Sequence, residues 1–296
     1  MKRIIVAVVL LLWNAMIGQS QSSLRKFAEV KHTDRWISLK TKVRLNYTEQ
    51  GSSVGIPVIF LHGYSDSRIS FESMLPYFPA SIHAYAISLR GFGDSYKPSG
   101  NYKPSDFAED IAAFMDELKI ESAIIVGHSM GSIIAQKFAL DYPNKTRALV
   151  LISSFISISQ NKVAKELSAG IMAMKKVEYS FVKDFQESTV FKKVDSVYFG
   201  RLVAESMKVP LHVWQQTING LMGEDYSYLL EYIPHPVLII WGDQDQVCSR
   251  TEQEELKSAL SNSDLIVFQG IGHAPHWEDP QATAKHIITF VEKVTF

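Results

Sequence analysis

Five residues of strand character, Ser122 to Val126, run into Gly127-His128-Ser129-Met130-Gly131, and a helical stretch from Ile133 to Asp141 follows. Few local patterns restrict a fold so tightly. A buried strand that turns at once into a helix holds the middle residue of the turn in a strained conformation. Gly127 and Gly131 lack the Cβ atoms that would clash there. The pattern puts Ser129 at the tip of the turn, above the N-terminus of the following helix. Unpaired N–H groups and the positive end of the helix dipole both suit a developing oxyanion at that place. A glycine-bracketed serine alone occurs in ordinary turns. With the strand before it and the helix after it, Ser129 is a candidate nucleophile.

The rest of the chain fits around this unit. Trp36–Lys40 and Val43–Tyr47 alternate apolar and polar residues, the period of a half-exposed hairpin at a sheet edge. Four apolar runs, Pro57–Leu61, His83–Leu89, Ala148–Ile152 and Pro236–Ile240, read as strands buried on both faces, and Ser263–Phe268 as a last strand. Helices are expected at Phe71–Phe78, from Asp106 with Glu109 three residues on as in a capping box, at Glu252–Leu260 and at Gln281–Val291. Alternating strands and helices point to an α/β fold with a mostly parallel sheet. Between Ser153 and Pro234 no buried strand is evident and helical spacing dominates, as with Phe181 and Phe185 or with Trp214, Ile218 and Leu221. The expected organisation is a core of residues 36–152 and 235–296, with a helical insertion at 153–234 over one end of the sheet.

Composition excludes several classes. A net charge of −1 leaves no electrostatic footprint for nucleic acid. The single cysteine, Cys248, rules out an intrachain disulfide, and no C-x-x-C or H-E-x-x-H spacing suggests a metal site. Lys2 and Arg3 precede an apolar run from Ile4 to Trp13, then small and polar residues. Residues 1–20 therefore read as a signal peptide cleaved near Gly18–Ser20, giving an exported chain with no stable membrane anchor; the apolar run is short of the ~20 residues of a spanning helix. Asn46-Tyr-Thr48 and Asn144-Lys-Thr146 are glycosylation sequons if the host is eukaryotic.

Several chemistry-bearing residues follow the carboxyl ends of buried strands, where open parallel sheets bind ligands. A serine hydroxyl needs a base within reach, and the base needs a group that fixes its tautomer. His273, directly after Gly270-Ile-Gly272, is the expected base; His276, His62 and His128 are its rivals. Asp243 and Asp245 both follow the strand ending at Ile240, and position alone leaves both open as the acid. The backbone N–H groups of Tyr64 and Met130 are the expected oxyanion donors. His62 is expected to brace its loop or border the pocket. His128, Phe181, Phe185 and Trp214 are further pocket candidates, with methionines of the insertion adding apolar surface.

Leu61-His-Gly-Tyr64, Leu89-Arg-Gly-Phe-Gly-Asp-Ser95, Val126-Gly-His-Ser-Met-Gly131, Trp241-Gly-Asp-Gln-Asp245 and Gly272-His-Ala-Pro-His-Trp-Glu-Asp-Pro280, in this order, resemble the α/β-hydrolase fold superfamily, in its capped "hydrolase-1" form. The resemblance runs from Trp36 to the C-terminus. It implies eight mostly parallel strands, a helical cap after the sixth, no cofactor, and Asp245 as the acid. Epoxide hydrolases and haloalkane dehalogenases of this fold carry aspartate where this chain has Ser129, so those activities are not expected. Ser132 departs from the glycine frequent in such relatives. The expected activity is hydrolysis of a small carboxylic ester or lactone by a Ser129–His273–Asp245 triad, in a monomer or weak homodimer. Other acyl chemistry (perhydrolysis, amide or C–C cleavage) and a non-catalytic ligand receptor are the alternatives.

Overall fold

The computed structural model describes residues 33–295. The expected signal peptide lies outside these. Eight strands form one sheet: β1 (Thr33–Ser38), β2 (Arg44–Gln50), β3 (Ile56–Leu61), β4 (Ile82–Ser88), β5 (Ala123–His128), β6 (Thr146–Ile152), β7 (Val237–Gly242) and β8 (Ser263–Phe268). Their spatial order is β1-β2-β4-β3-β5-β6-β7-β8. β1 and β2 form an antiparallel edge hairpin, β2 meets β4 antiparallel, and the remaining neighbours are parallel.

The apolar strands follow from two cores. Along β3, Val58 and Phe60 face one core while Ile59 and Leu61 face the other. Ile124 and Val126 oppose Ile125 on β5 in the same way, and Val150 opposes Leu149 and Leu151 on β6. Each such side chain, buried, contributes roughly 1.5–3 kcal/mol. A polar residue at any of these positions would face a covered layer, so the strands carry none of the alternation seen at the edge.

Helix α1 (Pro104–Glu117) and α2 (Met130–Asp141) pack on each other, and α1 buries Phe107, Ile111, Phe114 and Met115. Asp106 does not open α1. Proline at the first helical position starts it two residues earlier, and the Asp106 carboxylate accepts the Lys103 N–H at 2.8 Å. The helix expected over 71–78 is replaced by two 3-10 turns, Arg68–Phe71 and Leu75–Tyr77. Pro76 removes an N–H and its ring would meet the carbonyl four residues back, so an α-helix cannot pass through it.

Between β6 and β7 lie α3 (Lys162–Ala173), α4 (Tyr179–Glu187), α5 (Ser196–Met207) and α6 (Leu211–Gly223). α7 (Arg250–Ala259), the short α8 (Pro275–Glu278) and α9 (Pro280–Thr295) complete the chain. Asn46 is buried, its side chain held by Arg35 O and the Arg68 guanidinium, so the folded chain does not present this sequon; Asn144 is exposed. Among the described residues no helix is long and apolar enough to cross a membrane.

The strand order reverses between β3 and β5, which start neighbouring crossovers in opposite directions. Loops leaving such a pair diverge and open a crevice at their carboxyl ends. The loop after β3 carries Gly63 to Asp66, and the turn after β5 carries Ser129.

Candidate active site

Ser129 sits at φ 51°, ψ −115°, a left-handed conformation that costs a non-glycine residue about 1–3 kcal/mol. Its surroundings hold it there. Ser129 N–H bonds Ile152 O at 3.0 Å, its carbonyl takes the N–H groups of Ser132 and Ile133, and the Ser132 hydroxyl donates to the same oxygen. A Cβ on Gly127 would stand 2.2 Å from Gly131 O, and one on Gly131 would stand 2.1 Å from Leu61 O. The two glycines let the first turn of α2 fold back over β5 and against the end of β3. That contact brings Met130 beside the Gly63–Asp66 loop.

His273 Nε2 lies 2.9 Å from Ser129 Oγ, and His273 Nδ1 lies 2.8 Å from Asp245 Oδ2. The other Asp245 oxygen accepts the N–H groups of Val247 and Cys248 at 2.8 and 3.0 Å, which fixes the carboxylate plane. Asp243 points elsewhere, its Oδ1 taking Gly270 N–H at 2.6 Å and bracing the turn before His273. His276 Nε2 meets Ser70 Oγ at 3.0 Å, with its ring 4.4 Å from that of His128. His62 accepts the Leu89 N–H at Nε2, so its Nδ1 carries the proton and donates to Gly63 O. Burial pulls the His62 pKa down to about 4 and that of His276 to about 3, leaving both neutral near pH 7.

Two interactions with the inserted helices were not legible in the sequence. His273 N–H donates to Thr189 O at 2.8 Å. Glu278 accepts Gly272 N–H at Oε1, and Phe191 and Lys192 N–H at Oε2. The turn holding the imidazole is thus pinned to the segment after α4. No local motif announces a carboxylate that caps two chain segments as far apart in sequence as Lys192 and Gly272.

Tyr64 and Met130 both border the cavity above Ser129. Met130 N–H belongs to the first turn of α2 and has no acceptor inside the helix. The Tyr64 ring leaves this region: its hydroxyl donates to Trp214 O, and it packs edge-on against Trp214 and Phe185. Gln186 of α4 reaches the same loop, donating to Asp66 Oδ1 at 2.9 Å and Ser206 Oγ at 2.8 Å. Asp66 is buried in the cavity wall, and burial raises its pKa to about 7.

The cavity measures about 130 Å³, small beside the roughly 300–1,000 Å³ of sites for drug-sized ligands. Apolar side chains dominate its wall, among them Phe155, Ile158, Leu167, Phe185, Ile218 and Leu221. Of the five residues expected around a pocket, His128 and Phe185 line it. His62 is turned into its own loop, Phe181 packs behind Phe185, and Trp214 is fully buried beneath Tyr64. None of the insertion's methionines lines it; Met172 and Met207 are exposed instead. Helical spacing marks an apolar face without saying which layer it meets, which is why these assignments differed.

Asp245, Cys248 and His273 bring donor atoms within 4.8 Å of one another. The carboxylate and imidazole are already engaged, and burial pushes the Cys248 thiol well above its usual pKa, away from the thiolate a metal needs.

The family profile described as alpha/beta hydrolase fold matches residues 56–199 and 208–280. The chain is 26% identical over 288 residues to "Epoxide hydrolase 1" of Caenorhabditis elegans, covering 88% of this chain and 70% of that protein. It is 27% identical over 246 residues to a pimeloyl-[acyl-carrier protein] methyl ester esterase of Neisseria meningitidis, covering 79% and 92%. Among solved structures, an esterase from Exiguobacterium antarcticum superposes with a TM-score of 0.81 at 24% identity, covering 88% of this chain and all of that one. With the profile spanning most of the chain and the eight-stranded sheet in place, this protein belongs to the alpha/beta hydrolase fold family.

Proposed function

We propose that the chain is a serine hydrolase that cleaves a small carboxylic ester or lactone through an acyl-enzyme. The observation that carries this reading is the unbroken relay Ser129 Oγ–His273 Nε2, His273 Nδ1–Asp245 Oδ2, at 2.9 and 2.8 Å on a strained strand-to-helix turn. Ser129 Oγ attacks the carbonyl carbon while His273 Nε2 takes its proton. The N–H groups of Tyr64 and Met130 receive the oxyanion; one such donor is worth on the order of a hundredfold in turnover. The C–O bond then breaks and His273 protonates the leaving alkoxide. Water, deprotonated by His273, attacks the acyl-Ser129 ester and releases the acid. Asp245 keeps the proton on Nδ1 and so leaves Nε2 free to act as base.

Two relatives support the ester reading by name, the methyl ester esterase and the esterase of Exiguobacterium antarcticum. The epoxide hydrolase relative does not transfer its chemistry, since an alkyl-ester intermediate needs a carboxylate nucleophile and Ser129 offers a hydroxyl. The small apolar cavity favours a short acyl or alcohol group. Labelling with a fluorophosphonate tests the reading: the native chain is labelled and the Ser129→Ala variant is not. Equal labelling of both, or native protein that takes no label and turns over no short-chain p-nitrophenyl ester, refutes it. Adding peroxide or an amine to the same assay measures transfer to acceptors other than water.

A further inference from the structure

His128 Nε2 lies 2.9 Å from the carbonyl oxygen of His273, which can only accept, so the imidazole proton is on Nε2. Burial and the neighbouring histidines hold the ring well below its usual pKa, so it stays neutral. Nδ1 is then a bare lone pair, and this buried atom has no hydrogen-bond partner among the described residues. A buried acceptor left unpaired costs about 1–3 kcal/mol.

The polar atom facing it is Asp66 Oδ2, at 4.0 Å. That gap is too wide for a direct hydrogen bond, but one oxygen atom placed between them reaches both at about 2.8 Å. Asp66 Oδ1 is occupied by Gln186, whereas Oδ2 receives a long 3.4 Å contact from Ser70, and the Gly63 N–H also acts on the carboxylate. Gly63 keeps the gap clear: a Cβ there would stand 2.8 Å from His128 Nδ1 and 3.0 Å from Asp66 Oδ2. Asp66 and His128 both line the cavity, and each adjoins the reacting groups, His128 preceding Ser129 and Asp66 following Tyr64 by two residues. Apolar side chains dominate the rest of the wall, with Gln186, Ser188 and Thr189 among its other polar residues.

We propose that Asp66 Oδ2 and His128 Nδ1 form a polar subsite that binds a hydroxyl group of the substrate, and that the substrates are small hydroxy-substituted esters. The inference rests on the serine hydrolase reading and narrows it. The hydroxyl donates to His128 Nδ1 and accepts from the protonated Asp66 carboxyl. Burial supplies that proton, since it lifts the carboxyl to about 7. The hydroxyl replaces an unpaired buried acceptor by a continuous chain, Asp66 O–H to hydroxyl to His128 and on to His273 O. A site built to bond a hydroxyl discriminates strongly against the analogue without one, because its own polar groups are then left unpaired.

The test compares methyl butyrate with methyl 2-hydroxybutyrate and methyl 3-hydroxybutyrate, following released acid by titration, in the native enzyme and in Asp66→Asn and Asp66→Ala. The readout is the ratio of kcat/KM between a hydroxy ester and its parent. At least one hydroxy ester should be preferred by about tenfold or more. Asp66→Asn, whose amide can still donate, should keep most of that ratio, and Asp66→Ala should lose it. A native enzyme with no hydroxy preference, or an Asp66→Ala enzyme that retains one, overturns the proposal. A preference lost in both variants also overturns it, since it marks a substrate hydroxyl that donates to an ionised Asp66 carboxylate and does not accept from a protonated one. Failure of the serine hydrolase reading itself is seen separately, as methyl butyrate left intact and Ser129 left unlabelled.

Discussion

Asp66 should make folding stability depend on pH in a direction opposite to most carboxylates. It is 3% exposed, and burial, opposed by bonds from Gln186 and Ser70, lifts it from 3.8 to about 7. Between those values the folded chain holds a proton that the unfolded chain has lost. Asp66 therefore favours folding fully below about pH 4, and this contribution is lost as pH rises to about 7. At about 1.4 kcal/mol per pH unit, the whole displacement is worth about 4 kcal/mol. Three buried histidines run the other way. His62, His128 and His276 are held below 6.5, so their contribution is gained as pH rises toward that value and would mask Asp66 in the native protein alone. The difference between Asp66→Asn and the native chain removes them. Asparagine keeps a carbonyl for Gln186 but carries no ionisable group. From pH 5 to 8 the variant should gain on the native chain by about 3 kcal/mol, the part of the displacement that falls in that window. Urea unfolding at four pH values, with equal slopes in denaturant, measures it. A difference that stays flat within about 0.5 kcal/mol would show that Asp66 ionises like an exposed carboxylate, and the burial argument would fail.

Two further substitutions probe the frame of the site. Gly131→Ala puts a Cβ 2.1 Å from Leu61 O and 2.8 Å from His62 O, both backbone atoms that cannot step aside. It should cost about 3 kcal/mol or more and lower the thermal midpoint by about 6 °C or more; a loss under about 1 kcal/mol contradicts the packing described. Glu278→Gln replaces one acceptor oxygen by an amide N–H facing a backbone N–H, either at Gly272 or at Phe191 and Lys192. Stability should fall by about 2 kcal/mol, and kcat should fall with KM little changed, because the turn holding His273 shifts while the cavity keeps its shape. Loss of stability with kcat intact would make Glu278 a link between chain segments and nothing more.

How much of this was legible beforehand differs by element. The two-sided sheet was, because a strand covered on both faces is apolar along its buried length, as Val58–Leu61, Ala123–Val126 and Ala148–Ile152 are. The Ser129 turn was, because only glycines fit where Gly127 and Gly131 stand. The choice between Asp243 and Asp245 was not decided by position, since both follow β7. Geometry separates them: Asp245 reaches His273 while Asp243 caps Gly270. The helix expected over 71–78 failed on a single proline. The expected pocket residues Phe181 and Trp214 failed for a different reason, because an apolar helical face packs equally well on a core or around a cavity.

Sequence alone determined the sheet, the strained Ser129 turn and the order in which Ser129, Asp245 and His273 appear. Those follow from local rules: periodicity, glycine at positive φ or close approach, and proline chemistry. Only the tertiary structure decided which helices roof the cavity, that Glu278 and Thr189 tie the His273 turn to them, and that Asp66 faces an unpaired His128 nitrogen across 4.0 Å. Such contacts join residues dozens of positions apart. No period or motif encodes them, because each depends on where two separately folded segments come to rest.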